Sequence, residues 1–321
     1  MTAWALWAVA VAVVAALPAV LSPFQIVQLT VFMIYSLLAL SLDLIWGFGG
    51  ILSFGQAAFF GVGGYVYGIV GINSGSTTLA LIAGVAGAAG LAALLGYFTF
   101  YGRVGSMYFA VITLTVTLIL HQVMGTTADP RYAVGQARLG GYNGMTNIPS
   151  LALEVPGRAP LTLDPVQLFY VVGGLLLLVL ALTRALVRGS FGRVLAAIRE
   201  DELRTELLGY DPRWRKLVTF AISGSIAGLA GGLFAGWGNF MNPQVFSMFQ
   251  SALVVIWVMV GGRGTLYGAA AGAALVNYAK TFFTGALPEV WLYALGALFI
   301  LVTLFLPRGL MGLAPTTAKS R

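Results

Sequence analysis

Along the chain, long apolar runs alternate with short polar joints, and only two joints are long. A hydrocarbon core about 30 Å thick needs about 20 apolar residues per helix, a ruler that predicts about ten membrane segments. They fall at residues 2–22, 24–46, 51–71, 77–100, 104–124, 165–187, 217–238, 249–262, 266–284 and 289–307. The expected fold is therefore all-α and polytopic, one membrane domain over 1–321, with long loops at 125–164 and 188–216 and no separate soluble domain. No Lys or Arg precedes the first apolar run, so it is expected to be a retained span, not a cleaved signal peptide.

The 188–216 loop carries Arg188, Arg193, Arg199, Arg204, Arg213, Arg215 and Lys216. Basic loops stay in the cytoplasm, which predicts a cytoplasmic location for this one. Counting spans outward puts Arg103, Arg263, Arg308, Lys319, Arg321 and both termini on the same side. The 125–164 loop is then external, with Arg131, Arg138 and Arg158 balanced by Asp129, Glu154 and Asp164.

Within this basic loop lies "FGRVLAAIREDELRTELLGYDP", residues 191–212. At about 100° per helical residue, Val194, Leu195 and Ile198 share one face while Leu203 and Leu207 fall nearly opposite. One amphipathic helix does not give that pattern, but two short helices do. Asp201 is expected to cap the second, Gly209 to close it, and Asp211-Pro212 to end the unit. A plain connector needs no such construction, and docking of a soluble partner accounts for it.

Composition narrows the chemistry. The chain is 59% hydrophobic and 8% charged, whereas soluble domains carry about a quarter charged residues. It has no cysteine, a single histidine (His121, expected at the outer interface) and ten carboxylates, mostly in loops. No catalytic residue, metal site or cofactor is expected. The net charge of +7 is assigned to orientation in membrane lipid, not to nucleic acid.

Two stretches are rich in glycine. "GFGGILSFGQAAFFGVGGYVYGIVG" holds Ser53, Gln56, Gly61, Gly63 and Gly64. Glycine costs about 1 kcal/mol against alanine inside a helix, so this density implies either close helix packing or a broken helix lining a buried path. In "VVIWVMVGGRGTLYGAAAGAALVNYAK", Gly261 and Gly262 begin a "GGRGT" break, and Gly268 and Gly272 form a packing step. Asn239 is a candidate for an outer vestibule. Asp43 is a buried carboxylate that serves either function or structural pairing.

Three ordered motifs carry a family resemblance: "DLIWGFGGILSFGQAAFFGVGGY", "SFGRVLAAIREDELRTELLGYDPRWRKLVTFAISGSIAGLAGGLFA" and "VIWVMVGGRGTLYGAAAGAALVN". Together they resemble the LivH/LivM-type permeases of branched-chain amino acid ABC importers, and the tail after "GGRGT" is most similar to the urea permease branch, the LivM-like subunit UrtC. Many members have "LSLGHGAFF" where this chain has "LSFGQAAFF", so Gln56 replaces a frequent histidine, keeping hydrogen bonding and losing titration.

The resemblance implies a bacterial inner-membrane subunit that moves cargo by alternating access. It pairs with a second LivH-like permease, two cytoplasmic ATP-binding subunits that use the ATP, and an external solute-binding protein. The matching loop contacts the ATPase in such families, which implies coupling roles for Arg193, Arg199, Glu200, Asp201, Glu202, Arg204 and Gly209. Ser53, Gln56, Gly61, Gly63, Gly64, Asn239, Gly261 and Gly262 are the expected substrate path. Urea is the expected cargo, with branched-chain amino acids as the alternative. A stand-alone channel or secondary transporter for a small polar solute is the rival from another class.

Overall fold

Local sequence sets the helix starts. Ser22 caps α1 (Pro23–Leu42), its hydroxyl accepting from the Gln25 amide while Gln25 Oε1 accepts from the Ser22 amide at 2.9 Å. The Ser76 hydroxyl accepts from the Leu79 amide at the start of α3 (Thr77–Gly96), and the Ser247 hydroxyl from the Gln250 amide at the start of α9 (Met248–Gly261). Pro23 and Pro212 sit in first turns, where a missing amide costs nothing. The computed structural model describes residues 14–129, 131–154, 161–286, 291–305 and 309–313.

The remaining helices are α2 (Gln56–Ser74), α4 (Ser106–Gly125), α5 (Pro165–Arg188), α6 (Ser190–Glu200), α7 (Glu202–Leu207), α8 (Pro212–Gly238), α10 (Tyr267–Ala286) and α11 (Trp291–Phe305). Two helices end in π-helical turns, α1 at Asp43–Phe48 and α3 at Tyr97–Tyr101. Each predicted segment from the second onward meets a helix. The first is helical over residues 14–20, and its remainder lies outside the described residues except Leu21 and Ser22. By length and composition six described helices suffice to cross a membrane: α1 with its π turn, α2, α3 with its π turn, α4, α5 and α8. The 14 residues of α9 fall short of the about 20 required.

Two boundaries depart from expectation. Residues 49–55 are not helical, so the span predicted from 51 starts at Gln56. Residues 212–216, predicted as loop, form the first turns of α8 because Asp211 accepts from the Arg213 amide at 2.9 Å and Pro212 suits the start. The all-α expectation also omitted two small hairpins in 125–164, Ala133–Val134 with Ala137–Arg138 and Ala152–Leu153 with Leu161–Thr162.

Helix α1 runs through the middle, against α5, α8, α9 and α10, while α2, α3 and α8 form a tight trio. Small residues make the trio possible. A Cβ on Gly228 would stand 2.3 Å from Ala88 Cβ, and one on Gly63 would stand 2.5 Å from Gly228 Cα. Among membrane helices such contact replaces the hydrophobic drive that lipid removes. Aromatic rings fill the layer nearer α6, with Phe59, Phe100 and Phe109 each within 5.9 Å of Phe220, centroid to centroid.

Candidate functional site

Helices α6 and α7 project from one end of the bundle as a short arm. Helix α6 buries Leu195 and Ile198, whereas α7 leaves Leu203 67% and Leu207 80% exposed. Asp201 ends the first helix and caps the second, its Oδ1 accepting from the Arg204 amide at 2.9 Å. Gly209, at φ +88°, follows α7. Lys216 pairs with Glu202 and Arg213 with Glu206, which ties α7 to the start of α8. Arg193, Arg199 and Glu200 lie exposed on α6, and Glu202 and Arg204 on α7. Arg103 joins Glu202, Glu206 and Lys216 around a cavity of about 440 Å³ at this end, floored by Ile51 and Phe109.

Beside the arm, the π turn of α1 meets the turn between α9 and α10. Asp43 is fully buried, and its carboxylate accepts from the amides of Gly264 at 2.6 Å and Leu266 at 2.9 Å. Arg263 Nε donates to the Trp46 carbonyl at 3.2 Å, with its guanidinium 4.9 Å from the Trp46 ring centroid. Arg199 Nη1 donates to the Gly47 carbonyl at 2.7 Å. Asp43 thus has a structural partner 221 residues away. The expected break "GGRGT" is the turn itself: Gly261 closes α9 against the Gly268 carbonyl, and Gly262 caps it at φ +113°.

The non-helical 49–55 stretch is buried or half-buried throughout, and protein groups answer part of its backbone. Phe54 donates to Thr113 Oγ1 at 3.2 Å and accepts from Thr117 Oγ1 at 3.4 Å, both on α4, while Ser53 Oγ accepts from the Gly55 amide at 3.1 Å. Just beyond it, Gln56 joins three helices. Its Oε1 accepts from Ser41 Oγ at 3.0 Å, its Nε2 donates to Ser223 Oγ at 3.1 Å, and Ser223 donates to the Ser41 carbonyl at 2.6 Å. The knot is closed to solvent, with Ser41, Gln56 and Ser223 each at most 1% exposed. Gly61 packs on the Phe246 ring, Gly63 on Gly228, and Gly64 on Met241.

Asn239 lies at the opposite end. It closes α8 in the left-handed region, φ +52°, and its Nδ2 donates to the Ile148 carbonyl at 2.9 Å and Ser150 Oγ at 2.7 Å. It edges a cavity of about 190 Å³ walled by Val27, Leu151, Leu163, Leu168 and Trp237, with Thr30 and Ser150 as polar points. His121, near the same end of α4, faces Tyr142 edge-on at 6.0 Å. The structure therefore gathers the expected residues into separate places: the arm, the closed knot, the α9–α10 turn and this cavity at the end opposite the arm.

Residues 25–303 match the family described as branched-chain amino acid transport system / permease component. The chain belongs to that permease family. The permease is 31% identical over 304 residues to the high-affinity branched-chain amino acid transport system permease protein LivM of Escherichia coli (strain K12), covering 88% of this chain and 68% of that protein. LivM of Salmonella typhimurium is 30% identical with the same coverage. LivH of Escherichia coli (strain K12) matches at 30% over 137 residues, 42% of the permease and 44% of LivH. No solved structure matches significantly.

Several groups that build these places escaped the sequence reading. Ser41, Ser223, Thr113 and Thr117 look like ordinary small residues of apolar helices, and only their partners give them a role.

Proposed function

We propose that this permease is one membrane subunit of an ATP-driven importer of branched-chain amino acids. Leucines on α7 carry the reading: they face outward on an arm of alternating charge, which a membrane subunit needs only where a soluble partner covers them. The arm end faces the cytoplasm in this proposal, with ten membrane segments and both termini on that side, and the ATP-binding subunits seat on α6–α7. A second LivH-like permease and an external solute-binding protein complete the assembly, in a bacterial inner membrane.

Cargo class follows from the relatives' names and from the outer cavity. Val27, Leu151, Leu163, Leu168 and Trp237 offer apolar wall for a branched side chain, and Thr30, Ser150 and Asn239 offer hydroxyl and amide groups for a polar head. Ser53, Gln56, Gly61, Gly63, Gly64, Gly261 and Gly262 act in this proposal as the packed hinge region around the path, and Asn239 at its mouth. ATP binding closes the partner subunits, displaces the arm and shifts the equilibrium between outward- and inward-open states.

Tagged permease, purified gently from its native membrane, tests the assembly. Recovery of ATP-binding subunits, together with uptake that stops when ATP is withheld, is the expected result. Uptake that persists without ATP or partner subunits establishes a channel or secondary transporter instead.

A further inference from the structure

Arg199 ends α6, and its contact with Gly47 joins parts of the chain 152 residues apart. The last carbonyls of a helix have no following amide to accept from. Here Ile45 is answered by the Ile51 amide at 3.2 Å, Trp46 by the Gly50 amide at 3.1 Å, and Gly47 by the Arg199 guanidinium. Gly50 clears the way. It sits at φ +74°, and a Cβ there would stand 2.5 Å from Arg199 Cγ, so only glycine lets the arginine stem lie across the break. Gly47 in turn touches the α9–α10 turn backbone to backbone, since a Cβ on it would stand 2.6 Å from the Gly264 nitrogen. Asp43 holds that turn from the same π-helical segment.

Covalent links around α6 are looser. Gly189 precedes it in an extended conformation, and after α7 the chain passes Gly209 at φ +88° before α8. Salt bridges tie α7 to α8, whereas α6 is attached to the end of α1 by the guanidinium on the Gly47 carbonyl. We infer that Arg199 is a positioning residue that makes α6, the 43–48 segment and the 262–266 turn one moving body. Displacement of the arm then reaches α1, α9 and α10 directly. This inference rests on the reading of α6–α7 as the ATPase contact.

The test uses the whole importer in proteoliposomes, with three single variants. Arg199→Met keeps the apolar stem and removes every donor, Arg199→Lys keeps one donor, and Gly50→Ala displaces the stem. Two quantities are read: ATP-binding subunits retained per permease, and leucine taken up per ATP hydrolysed. The expected result is full retention in all three, with uptake per ATP about tenfold lower for Arg199→Met and Gly50→Ala and largely restored in Arg199→Lys. Unchanged uptake per ATP in Arg199→Met overturns the inference. So does loss of ATP-binding subunits in step with uptake, which makes Arg199 a docking residue. Failure of the unsubstituted permease to retain ATP-binding subunits is a separate result, and it overturns the reading of the arm itself.

Discussion

Asp43 and Gly264 are joined by a 2.6 Å hydrogen bond from the glycine amide to the buried carboxylate. The bond fixes the end of α1 to the turn between α9 and α10, and the second carboxylate oxygen extends the grip to Leu266. A turn packed into the protein needs such a partner, because a buried amide left unanswered costs about 1–3 kcal/mol.

Removing that partner has a calculable cost. Asp43→Ala leaves two buried amides unanswered, at about 1–3 kcal/mol each, whereas Asp43→Asn keeps one acceptor oxygen. Thermal unfolding in detergent should rank the parent above Asn and Asn above Ala. Equal midpoints for parent and Ala would show that the carboxylate does not hold the turn.

Gln56 works as a donor and an acceptor at once, bridging Ser41 of α1 and Ser223 of α8. Gln56→Leu removes both of these bonds, leaving Ser41 donating to the Leu38 carbonyl and Ser223 to the Ser41 carbonyl, and should lower stability by about 1–3 kcal/mol. Gln56→His retains one donor and one acceptor and should stay close to the parent, while bringing a titratable group into the knot. A leucine variant as stable as the parent removes the knot from the account.

Glu154 caps α3 from the opposite loop. It accepts from the Ser76 hydroxyl at 2.6 Å and from the Thr77 and Thr78 amides. These bonds, Ser76 first, hold its carboxyl below the usual glutamate range. A lowered folded-state pKa contributes stability that is present above the unfolded value of about 4.3 and is lost as pH falls through the folded value. Amide protection around residues 76–79, relative to the unstructured chain at the same pH, should therefore fall in acid below about pH 4 in the parent, and Glu154→Gln should flatten that dependence. An identical acid response in both proteins removes Glu154 as its source.

Leu203 and Leu207 are 67% and 80% exposed, so Leu203→Ser with Leu207→Ser should leave stability within about 0.5 kcal/mol of the parent. The same pair should lose most bound ATP-binding subunit in a pull-down. Full retention would move the docking surface elsewhere.

Local signals were the legible part. The change of apolar face between Ile198 and Leu203 coincides with the end of α6 and the Asp201 cap of α7. Glycine density implied either close packing or a break, and the chain uses it for both: Gly63 packs on Gly228, while residues 49–55 are unwound. Pairings across the chain were not legible. Asp43 with Gly264, Arg199 with Gly47 and Gln56 with Ser223 join residues at least 152 apart, and nothing in their neighbours' identity encodes the partner. The π turn at Asp43–Phe48 is equally silent, because its six residues are ordinary helix formers apart from one glycine. The urea expectation rested on the tail after "GGRGT", whereas LivM and LivH, the relatives described above, are named for branched-chain amino acids.

Import itself is measured most directly with the complete complex in proteoliposomes, supplied with binding protein and labelled leucine or urea. The account predicts leucine accumulation against its gradient with ATP present, no accumulation without ATP, and no urea accumulation in either case. Urea accumulation with ATP and none of leucine, or leucine equilibration that ignores ATP, would contradict it.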